Sequence, residues 1–322
     1  MKNILSISLN PAIDVSCDAQ SVSPTRKIRT HHQTYEPGGC GVNVARVIAT
    51  LGGMTDLLYL SGGATGAVLD QSLSSLPVRL HPVSTRGMTR ISYTVHELES
   101  GLEYRFVPEG SPICMDEIEQ ALKFIDQCDF DFIVLSGSLP KDSPPDTYAR
   151  ISEISARKNA LIILDSSGMA LKDTLDQRGI FLVKPSLGEL EQLVGRKLNR
   201  LEAIQESRSL VERGAAQNVV VSMGSNGAIL VNALEVLDVQ APHVIVRSAV
   251  GAGDSFVGAM SFALACGVDV GEAFHFGVAA GSAAVMTAGT QLCRREDVWR
   301  LYRDGSQLRG ITNTNQMEFE RN

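Results

Sequence analysis

Short apolar runs bounded by glycine and polar residues recur along the chain. "ILSISL" (4–9) stops at Asn10-Pro11, which predicts a buried strand. "LLYLSGG" (57–63), "FIVLSGSLP" (132–140) and "ALIILDSSG" (160–168) repeat the pattern, each ending in polar or glycine residues. "IFLVKPSLGELEQLVG" (180–195) reads as a strand, a proline break and a helix, and "NVVVSMGSNGAILV" (218–231) as two strands around a glycine turn. Between these runs the period changes. "GGCGVNVARVIATLGG" (38–53) predicts a glycine loop entering a helix, with Val44, Val47, Ile48 and Leu51 as its apolar stripe and Gly52 at its end. Two Ala- and Gly-rich helices are expected from Asp254 and Glu272 onward, closely packed. Apolar strands alternating with helices imply an α/β fold: a mostly parallel central sheet with helices on both faces.

Two segments break this rhythm. Residues 12–35 and 88–107 alternate with period two, and the second holds a turn-like "ESG" between strand-like runs. They predict a small antiparallel β lid projecting from the core, a surface that also suits a homodimer. The expected organisation is one domain over 1–310, with a polar tail at 311–322.

Composition narrows the function. The chain has 322 residues and a net charge of −7, which argues against a nonspecific nucleic-acid surface. Six cysteines form no C-x-x-C pair, so neither a zinc nor a redox motif is signalled, and a reducing, cytoplasmic setting is expected. The apolar run at the N-terminus is too short for a signal peptide, and no run is long enough to span a membrane. There is no G-x-x-x-x-G-K-[ST], no G-x-G-x-x-G, no H-E-x-x-H and no G-x-S-x-G.

Four features carry candidate chemistry. In "EPGGCGVN" (36–43), three glycines in four positions precede a helix that bears a polar Asn43. Such a loop lets backbone N–H groups approach a ligand, or it is a plain helix start. "GAGD" (251–254) offers consecutive N–H groups at a helix start beside Asp254; the aspartate reads equally as a helix cap. In "KPSLGE" (184–189), Glu189 reads on its own as the favoured acid of a first helical turn. Lys27, Arg29, Arg90 and Arg105 lie in the lid segments, as solvated edge residues or as phosphate contacts if the lid closes. Asp14, just after the first strand, is a turn residue or an acceptor for sugar hydroxyls.

Taken in order, these stretches resemble the ribokinase-like (PfkB) family of carbohydrate kinases. The likeness rests on "LNPAID" (9–14), "EPGGCGVNVAR" (36–46), "GGATG" (62–66), "TR" (89–90), "SGSLP" (136–140), "DSSG" (165–168), "KPS" with Glu189, "SMGSNGA" (222–228), "VGAGDSFVGA" (250–259) and "FGVAAGSAA" (276–284). It is strongest with the 6-phosphofructokinase branch. The resemblance implies ATP-dependent phosphorylation of fructose 6-phosphate at its 1-hydroxyl, with tagatose 6-phosphate and fructose 1-phosphate as rival substrates and a weakly active sugar-phosphate sensor as a further rival. It makes Asp254 the base, and Gly251, Ala252 and Gly253 the anion hole. Asp14, Gly38, Gly39, Gly41 and Asn43 fall on sugar-binding positions. Lys27, Arg29, Arg90, Arg105 and Ser138 fall near the sugar phosphate. Lys184, Ser186, Ser222, Gly224, Gly227 and Gly253 fall on the ATP site. Glu189 falls on the Mg²⁺-linked position, and Ser248 and Val250 beside a monovalent cation, K⁺. Two residues depart from the pattern: Ser186 replaces an asparagine, and Cys40 a glycine.

Overall fold

The structure, a computed structural model, describes residues 1–308; the tail expected at 311–322 lies outside them. In chain order the strands are β1 (Ile4–Ser8), β2 (Ala12–Ala19), β3 (Thr30–Gly38), β4 (Asp56–Gly62), β5 (Arg79–Thr85), β6 (Arg90–Glu97), β7 (Glu103–Phe106), β8 (Phe132–Ser136), β9 (Leu161–Asp165), β10 (Ile180–Val183), β11 (Ala216–Ser222), β12 (Ala228–Asn232) and β13 (Val236–Val239). The helices are α1 (Cys40–Thr50), α2 (Gly63–Leu73), α3 (Met115–Gln127), α4 (Thr147–Arg157), α5 (Gly168–Asp176), α6 (Leu187–Val194), α7 (Arg200–Glu212), α8 (Ala252–Ala265), α9 (Val270–Ala284) and α10 (Arg295–Leu308).

Among the described residues, nine strands form one sheet in the order β13-β12-β11-β10-β9-β8-β1-β4-β5. Its pairings are parallel except at β11–β12 and β12–β13. Strand β1 is buried throughout, and alternation sends its residues to opposite layers. Ile4 joins the apolar layer containing α1, α8, α9 and α10; Leu5 and Ile7 join the layer under α3 to α7. The expected close packing of α8 and α9 has a steric basis. A Cβ at Gly277 of α9 would come within 2.7 Å of Phe256 on α8, and one at Gly258 of α8 within 2.7 Å of Val47 on α1, so α8 lies close against both helices.

The second sheet runs β3-β2-β6-β7 and occupies the two segments that broke the rhythm. Its β2–β3 and β6–β7 pairs are antiparallel; a parallel β2–β6 pairing joins them. Period-two alternation fixes which face a side chain occupies but not the direction of the neighbouring strand, so this join was not predicted. One face carries Asp14, Glu36, Arg90, Glu103 and Arg105, and the other carries Val15, Tyr35, Tyr93 and Phe106, as the cross-strand register requires.

Several boundaries differ from the sequence reading. Residues 36–38 belong to β3, so the glycine loop tightens to a reversal at Gly39. Gly63, expected in a turn, opens α2. Strand β5 carries Pro82 and escaped the pattern; it is tolerated there because β5 is the sheet edge.

Candidate active site

Sequential connections from β1 run to one side of the sheet and those from β8 to the other, so the strand order reverses between them. In open α/β sheets the crevice beyond the strand C-termini at such a point is where ligands bind. The candidate residues gather there. Asp165 ends β9, and Lys184 follows the last residue of β10. Because Val183 pairs with Leu164, the next residues on the two strands face one another, and Lys184 Nζ reaches Asp165 Oδ1 at 3.0 Å. Lys184 is only 4% exposed. Burial opposes its ammonium charge, but Asp165, Glu189 and Asp254 outweigh that and hold the pKa above the ordinary lysine value. Burial pushes Asp165 upward against the pull of Lys184.

Asp254 stands in the first turn of α8, whose start is set by Gly251 in the left-handed region at φ 74°. The turn aims successive N–H groups and the positive end of the helix at the crevice. Lys184 borders it: a Cβ on Gly253 would lie 3.8 Å from Lys184 Nζ. Asp254 is not a capping aspartate in this structure, since the start of α8 has no side-chain cap. Its Oδ2 instead accepts a 2.8 Å hydrogen bond from Asn43 Nδ2, on the helix that follows the glycine stretch.

That stretch is built for close approach. Gly39 turns the chain at φ 94° between β3 and α1. A Cβ on Gly38 would collide with the Asp14 carboxyl, and one on Gly41 with the carbonyl of Ile7. Asp14 therefore sits against a bare backbone. Burial, then the neighbouring Asp254 charge, push its pKa up to about 6, opposed by Arg46, Arg90 and Arg105. Arg90 donates to the carbonyls of Pro108 and Asn10, both at 2.8 Å. Ser138 Oγ accepts from Asn10 Nδ2 at 3.2 Å, so the loop after β8 joins the same rim. Lys27 and Arg29 stay exposed on the β2–β3 connection at the lid margin, and among the described residues no side-chain hydrogen bond or ion pair ties either to this rim.

On the other side of Gly253 lies a cleft of about 500 Å³, lined by Ser222, Gly224, Gly227, Gly253, Phe256 and neighbouring residues. Its walls are mostly apolar, which suits a planar heterocycle with its polar end toward α8. Ser186 bridges to Ser222 across the adjacent strand ends. Ser186 also caps α6 reciprocally with Glu189: Glu189 Oε2 accepts from Ser186 N (2.7 Å) and Oγ (2.9 Å), and Ser186 Oγ accepts from Glu189 N (3.3 Å). Ser248 Oγ donates to Glu103 Oε2 at 3.1 Å and accepts from Val250 N at 3.2 Å, tying the lid strand β7 to the segment before α8.

The pfkB family carbohydrate kinase profile matches residues 1–297. The chain belongs to this family. It is 38% identical over 304 residues to the ATP-dependent 6-phosphofructokinase isozyme 2 of Escherichia coli K12, covering 94% of this chain and 98% of that one. The 1-phosphofructokinase of Bacillus subtilis is 31% identical, covering 88% of this chain and 93% of that one. The crystal structure of Escherichia coli phosphofructokinase-2 in complex with fructose-6-phosphate aligns with a TM-score of 0.89 at 36% identity, covering 94% of this chain and 99% of that one. A structure of the same enzyme in complex with potassium aligns with a TM-score of 0.91 at 36% identity, covering 95% of this chain and all of that one. A third structure, of the tetrameric inhibited form of that enzyme, aligns with a TM-score of 0.90 at 36% identity and the same coverage.

Three residues of this carbohydrate kinase site escaped the sequence reading as individuals. Asp165 was visible as an acid directly after an apolar strand, but only the register with β10 pairs it with Lys184. Arg46 was visible only as one turn beyond Asn43 on α1. Asn10 was read as part of a strand-ending Asn-Pro, yet its side chain donates to Ser138 and to the carbonyls of Glu109 and Leu139. Cys40 sits beside Gly137; burial, then the charges of Asp254 and Asp165, hold its thiol well above the ordinary value, so it is not a reactive thiolate. No helix among the described residues is long and apolar enough to cross a membrane.

Proposed function

We propose that residues 1–310 act as one ATP-dependent 6-phosphofructokinase domain. It moves the γ-phosphoryl group of ATP to the 1-hydroxyl of fructose 6-phosphate, giving fructose 1,6-bisphosphate and ADP. The observation that carries this reading is the placement of Asp254: between the sugar-side Asn43 and the Lys184–Asp165 pair, at a helix start beside the large cleft. Phosphoryl transfer needs positioning, a clamp for charge on the moving group and an acceptor for the hydroxyl proton.

In this reading Asp254 takes the proton from the 1-hydroxyl as its oxygen attacks phosphorus. The N–H groups of Gly251, Ala252 and Gly253 hold the equatorial oxygens, and Lys184 neutralises the charge passing to the leaving phosphate. Asp14, Gly38, Gly39, Gly41 and Asn43 orient the sugar. Arg90, Arg105 and Ser138, with Lys27 and Arg29 at the lid margin, meet its phosphate. Ser186, Ser222, Gly224 and Gly227 frame the nucleotide.

Mg²⁺ supplies neutralisation of the triphosphate. Among the described residues no three His, Cys, Asp or Glu side chains gather as a metal-ligand set. The converging charges of Glu189, Asp165 and Asp254 at Lys184 fit an ion that arrives on the phosphates and keeps its waters. Glu189 is the residue to hold it through water. The segment with Ser248 and Val250 is the place for K⁺, in keeping with the potassium complex of the Escherichia coli enzyme.

The outer lid face supports a homodimer. Tyr35, Tyr93 and Phe106 share one cross-strand row with Val15, and they are 63%, 42% and 56% exposed. A row of exposed aromatics is an interface signature. The reading places the enzyme in the cytoplasm, with no nucleic-acid or membrane partner.

Coupled ADP release with Mg-ATP, run against fructose 6-phosphate, fructose 1-phosphate and tagatose 6-phosphate, tests the assignment. Preference for fructose 6-phosphate supports it. Preference for fructose 1-phosphate favours the 1-phosphofructokinase reading, which the Bacillus subtilis relative keeps as the second choice. Turnover with none points to a sugar-phosphate-binding protein.

A further inference from the structure

The Asn43–Asp254 hydrogen bond is the end of a longer chain. Asn43 and Arg46 are three residues apart on α1 and so share a face. Arg46 Nη1 donates to Asn43 Oδ1 at 3.2 Å and to the carbonyl of Pro37 at 2.7 Å. Arg46 Nη2 pairs with Glu36 Oε2 at 3.0 Å, and both side chains are largely shielded, at 16% and 21% exposure. Glu36 and Pro37 belong to the lid strand β3. The connection therefore runs from the lid, through one guanidinium and one amide, to the carboxylate at the start of α8.

The chemistry of each link is directional. An asparagine side chain presents a carbonyl at one end and an amide at the other, and a half-turn exchanges them. With the carbonyl turned toward Asp254, two oxygens would face each other. A guanidinium against Asn43 Oδ1 keeps the amide on Asp254. The planar fork of arginine can hold Oδ1, a backbone carbonyl and a carboxylate at once, which a lysine ammonium does not reproduce.

We propose that Arg46 is a positioning residue that transmits the place of lid strand β3 to Asp254 through Asn43. The proposal rests on the phosphotransfer reading above. When β3 sits as it does here, Glu36 and Pro37 hold the guanidinium, the guanidinium fixes the Asn43 amide, and the amide aims the Asp254 carboxylate at the attacking hydroxyl. A lid strand displaced from the body pulls Arg46 away and releases the base. Water-excluding closure and base alignment are then one event, which limits wasteful ATP hydrolysis in the open state.

Arg46 acts on a second group of the site. Asp14 faces Glu36 across the β2–β3 register, Arg90 and Arg105 from β6 and β7, Asp254 from α8, and Arg46 from α1. Among the cations, Arg46 is the largest influence holding its acidity down. Its removal therefore moves the titration of Asp14 to higher pH, so the pH limb reads this charge effect and the part of kcat that Arg46→Lys fails to restore reads the relay.

The test is coupled ADP release from the full chain with fructose 6-phosphate and Mg-ATP, across the acid and neutral range, for Arg46→Met, Arg46→Lys and Glu36→Gln. Arg46→Met is expected to lower kcat by about tenfold or more, to leave KM for ATP within about twofold, and to move the acid limb of kcat/KM for the sugar upward. Arg46→Lys, which keeps the charge but not the fork, is expected to restore the limb and only part of kcat. Glu36→Gln is expected to lower kcat by about threefold with ATP binding intact. A folded Arg46→Met with near-normal kcat and an unmoved limb overturns the proposal; so does an increase in KM for ATP matching the loss of kcat. Should Arg46→Met fail to fold, wild-type kcat in Glu36→Gln together with full kcat in Arg46→Lys overturns it. Absence of turnover by the wild-type chain with every hexose phosphate removes the functional reading and the relay together, whereas an active wild type with indifferent variants removes the relay alone.

Discussion

Lys184 Nζ lies 3.0 Å from Asp165 Oδ1, and the two residues stand directly opposite each other at the ends of adjacent parallel strands. A buried pair of this kind is costly to break from one side, because the survivor keeps its desolvation penalty. Here the survivor has a remedy: burial already pushes Asp165 toward its neutral form. Lys184→Met is therefore expected to cost about 3 kcal/mol, the low end for a broken buried pair. Urea unfolding checks this. The same variant is expected to raise KM for ATP by about tenfold while KM for the sugar phosphate changes little. A rise confined to the sugar phosphate would put Lys184 on the wrong side of the site.

Asp254 has no capping role to lose, since α8 begins without a side-chain cap. Asp254→Asn keeps the shape and can keep a hydrogen bond to Asn43. It is expected to leave thermal stability almost unchanged and to cut kcat by about a hundredfold or more. Binding of ATP, read by calorimetry, is expected to stay within about twofold. A variant with near-normal kcat would remove Asp254 as the proton acceptor.

Asp14 couples stability to pH in a defined direction. Its pKa rises from 3.8 to about 6 on folding, with burial as the leading cause. Between those values the folded protein holds a proton that the unfolded chain has released, so this group makes folding less favourable as pH rises through the window. The full effect above pH 6 is up to about 3 kcal/mol. Asp14→Asn is expected to remove that slope, giving a higher Tm than wild type at pH 7.5 and little difference near pH 4. The same substitution weakens the sugar site, seen as a raised KM for fructose 6-phosphate with KM for ATP unchanged. An Asp14→Asn protein less stable than wild type at neutral pH would contradict the burial cost assigned here.

The large sheet was legible because each of its buried strands is a short apolar run with polar residues at one end, as in Ile4–Ser8 and Leu161–Asp165. Asp254, Lys184 and Asn43 were legible as polar residues beside such runs or on an apolar helix. What joins them was not. The Asn43–Asp254 contact spans 211 positions, and Lys184 meets Asp165 only through strand register. Pro82 hid β5, and the parallel join of β2 to β6 leaves no mark on alternation. Arg90 and Arg105 share the lid face of Asp14, because alternation along β6 and β7 sets that face. Lys27 and Arg29 lie in the irregular β2–β3 connection, where no periodicity constrains position.

The outer lid row makes a separable prediction. Tyr93 and Phe106 are cross-strand partners with exposed rings, and Tyr35, also exposed, lies in the same row on the far side of the buried Val15. If this face joins two copies, Phe106→Asp places a charge in the seam. Anchoring aromatics carry about 2 kcal/mol or more each, so the dimer constant is expected to weaken by about thirtyfold or more. Sedimentation velocity at micromolar protein then shows a shift toward monomer. A wild-type chain that sediments as a monomer at the same concentration would exclude the lid as a stable interface.

Ser186 presents the last separable question, because it fills two positions at once. It is the N-cap of α6, and its hydroxyl donates to Oε2 of Glu189, the carboxylate that the proposal gives to hydrated Mg²⁺. Asparagine is as good a cap as serine, so Ser186→Asn is expected to change stability by no more than about 0.5 kcal/mol. Without the hydroxyl proton, Oε2 loses a competing donor, and the longer side chain reaches a metal-bound water. The Mg²⁺ concentration giving half-maximal rate at fixed ATP is expected to fall by about threefold, and Glu189→Gln is expected to raise it by about tenfold. Glu189→Gln keeps a side chain that can close the capping box, so its effect is expected in the metal dependence with little change in the melt. An unmoved Mg²⁺ dependence in both variants would leave Glu189 as a capping residue only, and the metal would then depend on the nucleotide phosphates without it.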